Sequence, residues 1–184
     1  GRHAMPALAL GLLEGQERKA KYFTRMSTLA SAGQRTYAHG GPFFGAVWQP
    51  VAAAQGGART ANLHFREIRW HLDLKWHWNG LRISDPTPQK HGAFSEAATA
   101  LLFYAAPLKQ LCVTGRGRNE ALTLTDAEFA ETAATKTFDE AELSTDELIT
   151  SLSQYLGMLR GRAAAELARR AKAPDGTEEA GAII

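Results

Sequence analysis

The sequence predicts an α+β protein: a mainly antiparallel β domain with a short inserted helix, followed by a long C-terminal amphipathic helix. Three observations predict it. Apolar and polar residues alternate from Ile68 to Trp78, Asn79-Gly80 follows as a tight-turn pair, and Leu148, Leu152, Tyr155, Leu156, Leu159, Ala163 and Leu167 recur at threes and fours. The boundaries that follow are a lead-in over 1–15, a β-rich binding domain over 16–125, a helical region over 126–173 and a tail over 174–184.

The alternation puts Ile68, Trp70, Leu72, Leu74, Trp76 and Trp78 on one face of a strand and Arg69, His71, Asp73, Lys75 and His77 on the other. A type I′ turn at Asn79-Gly80 then pairs Trp78 with Leu81, His77 with Arg82, Trp76 with Ile83 and Lys75 with Ser84, like with like. A β-hairpin over residues 68–84 is the expected centre of the fold.

Taken in order, Gly1 to Ala4 ahead of Met5 read as a cloning remnant, and the apolar run at residues 7–13 is too short to span a bilayer. The chain is expected to be soluble and cytoplasmic. Residues 16–31 fit a helix or a strand, with a strand favoured in the second half through Tyr22, Thr24, Met26 and Thr28. A glycine-rich loop over 33–45 carries His39-Gly40-Gly41 at its tip, and Phe43 to Ala54 reads as a second strand, placed at an edge or bulge by Pro50. Residues 59–78 form the long strand entering the hairpin, which Asp85-Pro86-Thr87-Pro88 ends.

Ser95 to Ala105 reads as a short, largely buried helix stopping before Pro107. Leu108 to Thr114 is a strand, Gly115 to Asn119 a basic turn and Leu122 to Thr125 a last strand. Thr125/Glu128 and Ser144/Glu147 have capping-box spacing. The second opens a helix over 145–172, roughly 42 Å long at 1.5 Å per residue. Gly157 and Gly161 lie on one side of it and mark either a close approach or slack, two readings of equal weight.

The net charge of +2 conceals a segregation: residues 1–119 hold 15 Lys and Arg against 6 Asp and Glu, whereas residues 120–150 hold 1 against 9. A basic body suits a polyanionic partner. The element order is compatible with an OB-like barrel or a curved sheet, a frame that often binds single strands. The run F-S-E-A-A-T-A-L-L-F-Y-A-A-P-L-K-Q-L-C-V-T-G-R-G-R, residues 94–118, is similar to the helix-to-strand passage of bacterial single-stranded DNA-binding proteins. The likeness covers those residues with no diagnostic motif. The tail, with Glu178, Glu179, Ile183 and Ile184, is similar in kind to the partner-docking tips of that family, though the long Gly and Gln-rich linker is missing and a long helix is present.

The expected function is non-catalytic binding of single-stranded nucleic acid, DNA or RNA, by a basic and aromatic sheet. The expected contacts are Trp48, Arg59, Arg66, Arg69, His71, Lys75, His77, Arg82, Arg116 and Arg118. The alternative is a structural or protein-interaction module that forms a homo-oligomer through the hairpin and the C-terminal helix, with the tail free for a protein partner. No catalytic residue, cofactor or metal is expected. His71 and His77 stand roughly 20 Å apart along a strand, too far to share an ion. Cys112 lies in an apolar stretch as a structural thiol, and His39-Gly40-Gly41 has no G-x-S-x-G nucleophile to serve.

Overall fold

The computed structural model describes residues 3–29, 42–76, 78–79, 96–105, 108, 119–154 and 157–172. Those residues form α-helices and short 3₁₀ turns, with no β-strand among them. We number the helices α1 (Ala4–Gly11), α2 (Glu17–Thr28), α3 (Pro42–Gln55), α4 (Ala58–Asp73), α5 (Glu96–Ala105), α6 (Asp126–Ala134), α7 (Thr145–Ser151) and α8 (Gly157–Ala171). The chain divides into two units, Gly1–Ala133 and Ala134–Ile184.

In the first unit α3 is the hub, touching α1, α2, α4 and α5. Its neighbours come close because the contacts are small. Ala4, Ala7 and Ala52 are fully buried together, with Leu8, Phe23 and Trp48 packed around them. A Cβ on Gly56 would stand 2.8 Å from Thr24 Cγ2 and 2.9 Å from Thr60 Oγ1, so the passage from α3 into α4 fits against α2 only as glycine. Gln55 ties the same place together, its Nε2 donating to the Ala7 carbonyl at 3.0 Å and to Thr24 Oγ1 at 3.4 Å. Further along α4, Ile68 and Leu72 join Phe103 of α5 in a second buried cluster flanked by Phe65 and Tyr104.

This architecture overturns the expected β domain and its OB-like barrel. The strand favoured in residues 16–31 is α2, whose buried Ala20, Thr24, Ser27 and Thr28 recur at helical spacing. The edge strand at Phe43 to Ala54 is α3. It keeps Pro50 inside the helix, at a cost of about 3 kcal/mol that tertiary packing must offset. The long strand and the first arm of the hairpin are α4 as far as Asp73. Their alternation is genuine but secondary. Ala61, His64, Ile68 and Leu72 are all buried at spacings of three and four, a helical pattern that starts upstream of the alternating window. The second arm, from Gly80 to Ser84, lies outside the described residues, as do Cys112 and the glycine-rich loop up to Gly41; the rest of that expected loop, Pro42 to Gly45, is the start of α3.

Residues 122–125, expected as a final strand, instead run out of a 3₁₀ turn at Glu120–Leu122, with Leu122 and Leu124 buried and Leu124 N–H donating to the Gly56 carbonyl at 3.0 Å. The Thr125/Glu128 capping box is formed: Thr125 N–H donates to Glu128 Oε2 at 2.7 Å and Glu128 N–H to Thr125 Oγ1 at 3.2 Å. The helix expected at 95–105 is α5, although Leu101 faces outward.

The second unit pairs α7 with α8 around Leu148, Ala163 and Leu167, with Phe138 and Leu143 at the margin. Ser144 and Glu147 make the expected capping box. One continuous helix over 145–172 is not formed. α7 ends at Ser151, where Ser151 Oγ donates to the Glu147 carbonyl at 2.7 Å and Ser153 Oγ to the Thr150 carbonyl at 2.8 Å, and Arg160 takes the Gln154 carbonyl at 2.7 Å. The Thr150 and Gln154 carbonyls thus accept side-chain donors at the point where the helix stops. A Cβ on Gly161 meets nothing within 4 Å, so at that position the glycine is slack and not a close approach.

Candidate functional site

Large apolar side chains gather on the outside of α4 and just beyond it. Trp70 is 55% exposed, Leu74 74%, Trp76 49% and Trp78 90%. The helical period of 3.6 residues places Asn62, Arg66, Arg69, Trp70, Asp73 and Leu74 away from the buried His64, Ile68 and Leu72. Trp70, Trp76 and Trp78, which the alternation set on one strand face with Ile68 and Leu72, are therefore on the surface while Ile68 and Leu72 are buried, and Arg66 and Arg69 lie near Trp70 on the same helix.

Two of the charges on this face are joined within the chain. Asp73 accepts from Arg69 Nε at 3.0 Å and from the Tyr104 hydroxyl, while the Arg69 guanidinium lies 5.7 Å from the centroid of Phe65. Trp70 meets His71 edge-on, with ring centroids 5.6 Å apart. Arg66 is exposed and forms no hydrogen bond or ion pair with any described residue.

Of the residues expected to bind nucleic acid, the structure groups Arg66, Arg69, His71 and Lys75 on or just after the C-terminal half of α4. It does not bring Trp48 or Arg59 to them. Trp48 packs on the alanine cluster of α1 and α3. Arg59 sits at the opposite end of α4, ion-paired with Asp126 and 4.7 Å from the centroid of Phe129. His77, Arg82, Arg116 and Arg118 lie outside the described residues.

Arg59 is one of three cations claimed by α6. Lys21 Nζ lies 3.1 Å from Glu128, and Arg25, only 4% exposed, lies 2.7 Å from Glu131 and donates from Nε to Thr132 Oγ1 at 2.8 Å. Burial pushes the Glu128 carboxyl up, but the Thr125 N–H and the Lys21 ammonium more than offset it and hold the group below its ordinary value. The acidic segment is thus partly the counterion of the basic body. This is the signal that charge counting missed: opposite blocks in one chain neutralise each other when the fold brings them together.

A cleft of about 260 Å³ opens at the N-terminal end of α4, lined by Gly56, Gly57, Arg59, Thr60, Glu120 and Phe129 among others. Gly57 takes φ +113 there, a conformation that suits glycine. No group of three or more His, Cys, Asp or Glu among the described residues could hold a metal ion. No described helix is long and apolar enough to cross a membrane.

Compared with known families, residues 1–115 match one described as Domain of unknown function (DUF6288), more than half of the 184-residue chain. The chain belongs to the DUF6288 family. The DUF6288 match takes in α1 to α5, and so both ends of α4, and stops ahead of α6. No curated protein and no solved structure matches this DUF6288 chain.

Proposed function

We propose that this chain is a non-catalytic protein-interaction module, a helical scaffold that offers the outer face of α4 to a protein partner. The observation that carries the reading is the exposure of Trp70, Leu74, Trp76 and Trp78 in one short stretch. Burying a large apolar side chain gains about 1.5–3 kcal/mol, and a fold that leaves several out forgoes that gain unless a partner supplies it. Tryptophan and arginine also dominate the energetic centres of protein interfaces, and here Arg66 and Arg69 flank the indoles. A nucleic-acid partner draws less support. The expected aromatic sheet is replaced by a helix, and Lys21, Arg25 and Arg59 are already paired with acids.

The test is a photo-crosslinking residue placed at Leu74 of the full chain, in cells that produce it. The expected result is a discrete set of protein adducts that Trp70→Ala abolishes and Arg59→Ala leaves intact. Adducts sensitive to nuclease, or none at all, overturn the reading.

A further inference from the structure

We infer that the partner of this face is a second copy of the same chain, with two α4 helices packed antiparallel about a two-fold axis between Arg69 and Trp70. The inference rests on the interaction reading above and names its occupant.

An isologous pair demands a surface complementary to itself, because whatever residue i meets on the other copy must meet i in return. With the axis between Arg69 and Trp70, antiparallel helices set each residue k positions before the axis opposite the one k positions after it. Arg66 then faces Asp73 of the second copy, and Arg69 faces its Trp70. Each match occurs twice. Arg66 brings a cation that no described group of its own chain engages. Asp73 is 44% exposed, with Arg69 and the Tyr104 hydroxyl among its donors, and a carboxylate accepts several donors at once. Arg69 over an indole is a cation–π contact of ordinary kind.

The neighbouring register does worse. An axis through Trp70 itself would set Asp73 against Glu67 of the second copy, a repulsive pair. Asn62, Arg66, Arg69, Trp70, Asp73 and Leu74 recur at helical spacing along one side of the helix, so the matched residues lie on one face. Complete burial of the exposed parts of the three indoles and Leu74 removes at most about 500 Å² per copy, roughly 1,000 Å² for the pair, the size of a weak, reversible interface.

The experiment is sedimentation velocity on the full chain across a wide concentration range, with two charge variants, Arg66→Asp and Asp73→Arg. Circular dichroism first confirms that both keep the helical content of the parent. The parent is expected to sediment as a dimer. Each variant alone sets like charges opposite one another twice and is expected to remain monomeric. An equimolar mixture restores both opposite-charge pairs and is expected to dimerise again as a heterodimer. Variants that dimerise as the parent does, or a mixture that stays monomeric, overturn the register. A parent monomeric throughout, with Leu74 adducts to other proteins intact, overturns self-pairing and leaves the interaction reading standing. If those adducts are missing too, both fall.

Discussion

Just before its first turn, Gly56 fits between Thr24 of α2 and Thr60 of α4, whereas at its last turn α4 presents Trp70 and Leu74 with more than half their surface in solvent. The small end is where folding needs close approach: Gly56, Thr60 and Thr24 leave no room for another carbon. At the large end, Ile68 and Leu72 take the core side, and Trp70 and Leu74 between and beyond them leave more than half of their surface in water. One helix therefore separates two tasks that a strand would merge. In a strand, Ile68, Trp70, Leu72 and Leu74 share a face and a fate. In α4 they alternate between core and solvent because adjacent even-numbered positions lie about 200° apart around the axis.

The sharpest way to break that contrast is to truncate neighbours of equal parity. Ile68 is 1% exposed, and Ile68→Ala is expected to cost about 2–5 kcal/mol by loss of transfer energy and creation of a cavity. Trp70→Ala is expected to stay within about 0.5 kcal/mol, as surface changes do, although it removes more atoms. Urea titrations followed by circular dichroism, at concentrations low enough to suppress self-association, read both. Comparable costs at the two positions would return the pair to one buried face and defeat the helical assignment.

Next in size is the close contact at the small end. Gly56→Ala places a methyl group 2.8 Å from Thr24 Cγ2 and is expected to destabilise the first unit by about 1–3 kcal/mol. Thr24→Ser removes the methyl that clashes, so Gly56→Ala on that background should cost measurably less than on the parent. Equal costs on both backgrounds would show that α2 does not press on this position.

What the sequence disclosed was local. Both capping boxes are visible as four-residue spacings because each is closed by its own neighbours, Thr125 with Glu128 and Ser144 with Glu147. The helix before Pro107 was equally plain, since proline bars the residues ahead of it from continuing. The strand assignments failed where two periods coexisted. Trp70, Trp76 and Trp78 advertise a period of two, while Ala61, His64, Ile68 and Leu72 carry the period that packing selects. α3 hid for another reason: Pro50 argues against a helix locally, and only its contacts with four neighbouring helices outweigh it. For the candidate site, the residue types were legible and their exposure was not. Whether an indole is core or surface depends on which helix lies opposite, and α5 covers Ile68 rather than Trp70.

The smallest expected effect belongs to the second unit, whose ion pairs lie nearer to solvent than the core contacts of the first. Arg169 and Arg170 donate to Glu166 at 2.7 and 2.9 Å and hold its carboxyl at about 2, below the ordinary 4.5. A carboxyl depressed in the folded state contributes stability that is present in full above its unfolded value and fades as the pH falls through the folded one. The contribution of Glu166 should therefore be complete above about 4.5 and disappear between there and about 2. All four tryptophans lie in the first unit, so indole fluorescence will not register the change. The methyl resonances of Leu148 and Leu167, which share the α7–α8 core, will. Glu166→Gln keeps the shape and removes the titration, so the acid-induced shift of those methyls should be shallower in the variant over that window. Since Arg169 is 68% exposed, the difference should be modest, as solvated pairs are. Identical acid profiles for parent and variant would show that the α7–α8 pair is held by Leu148, Ala163 and Leu167 without help from this carboxylate.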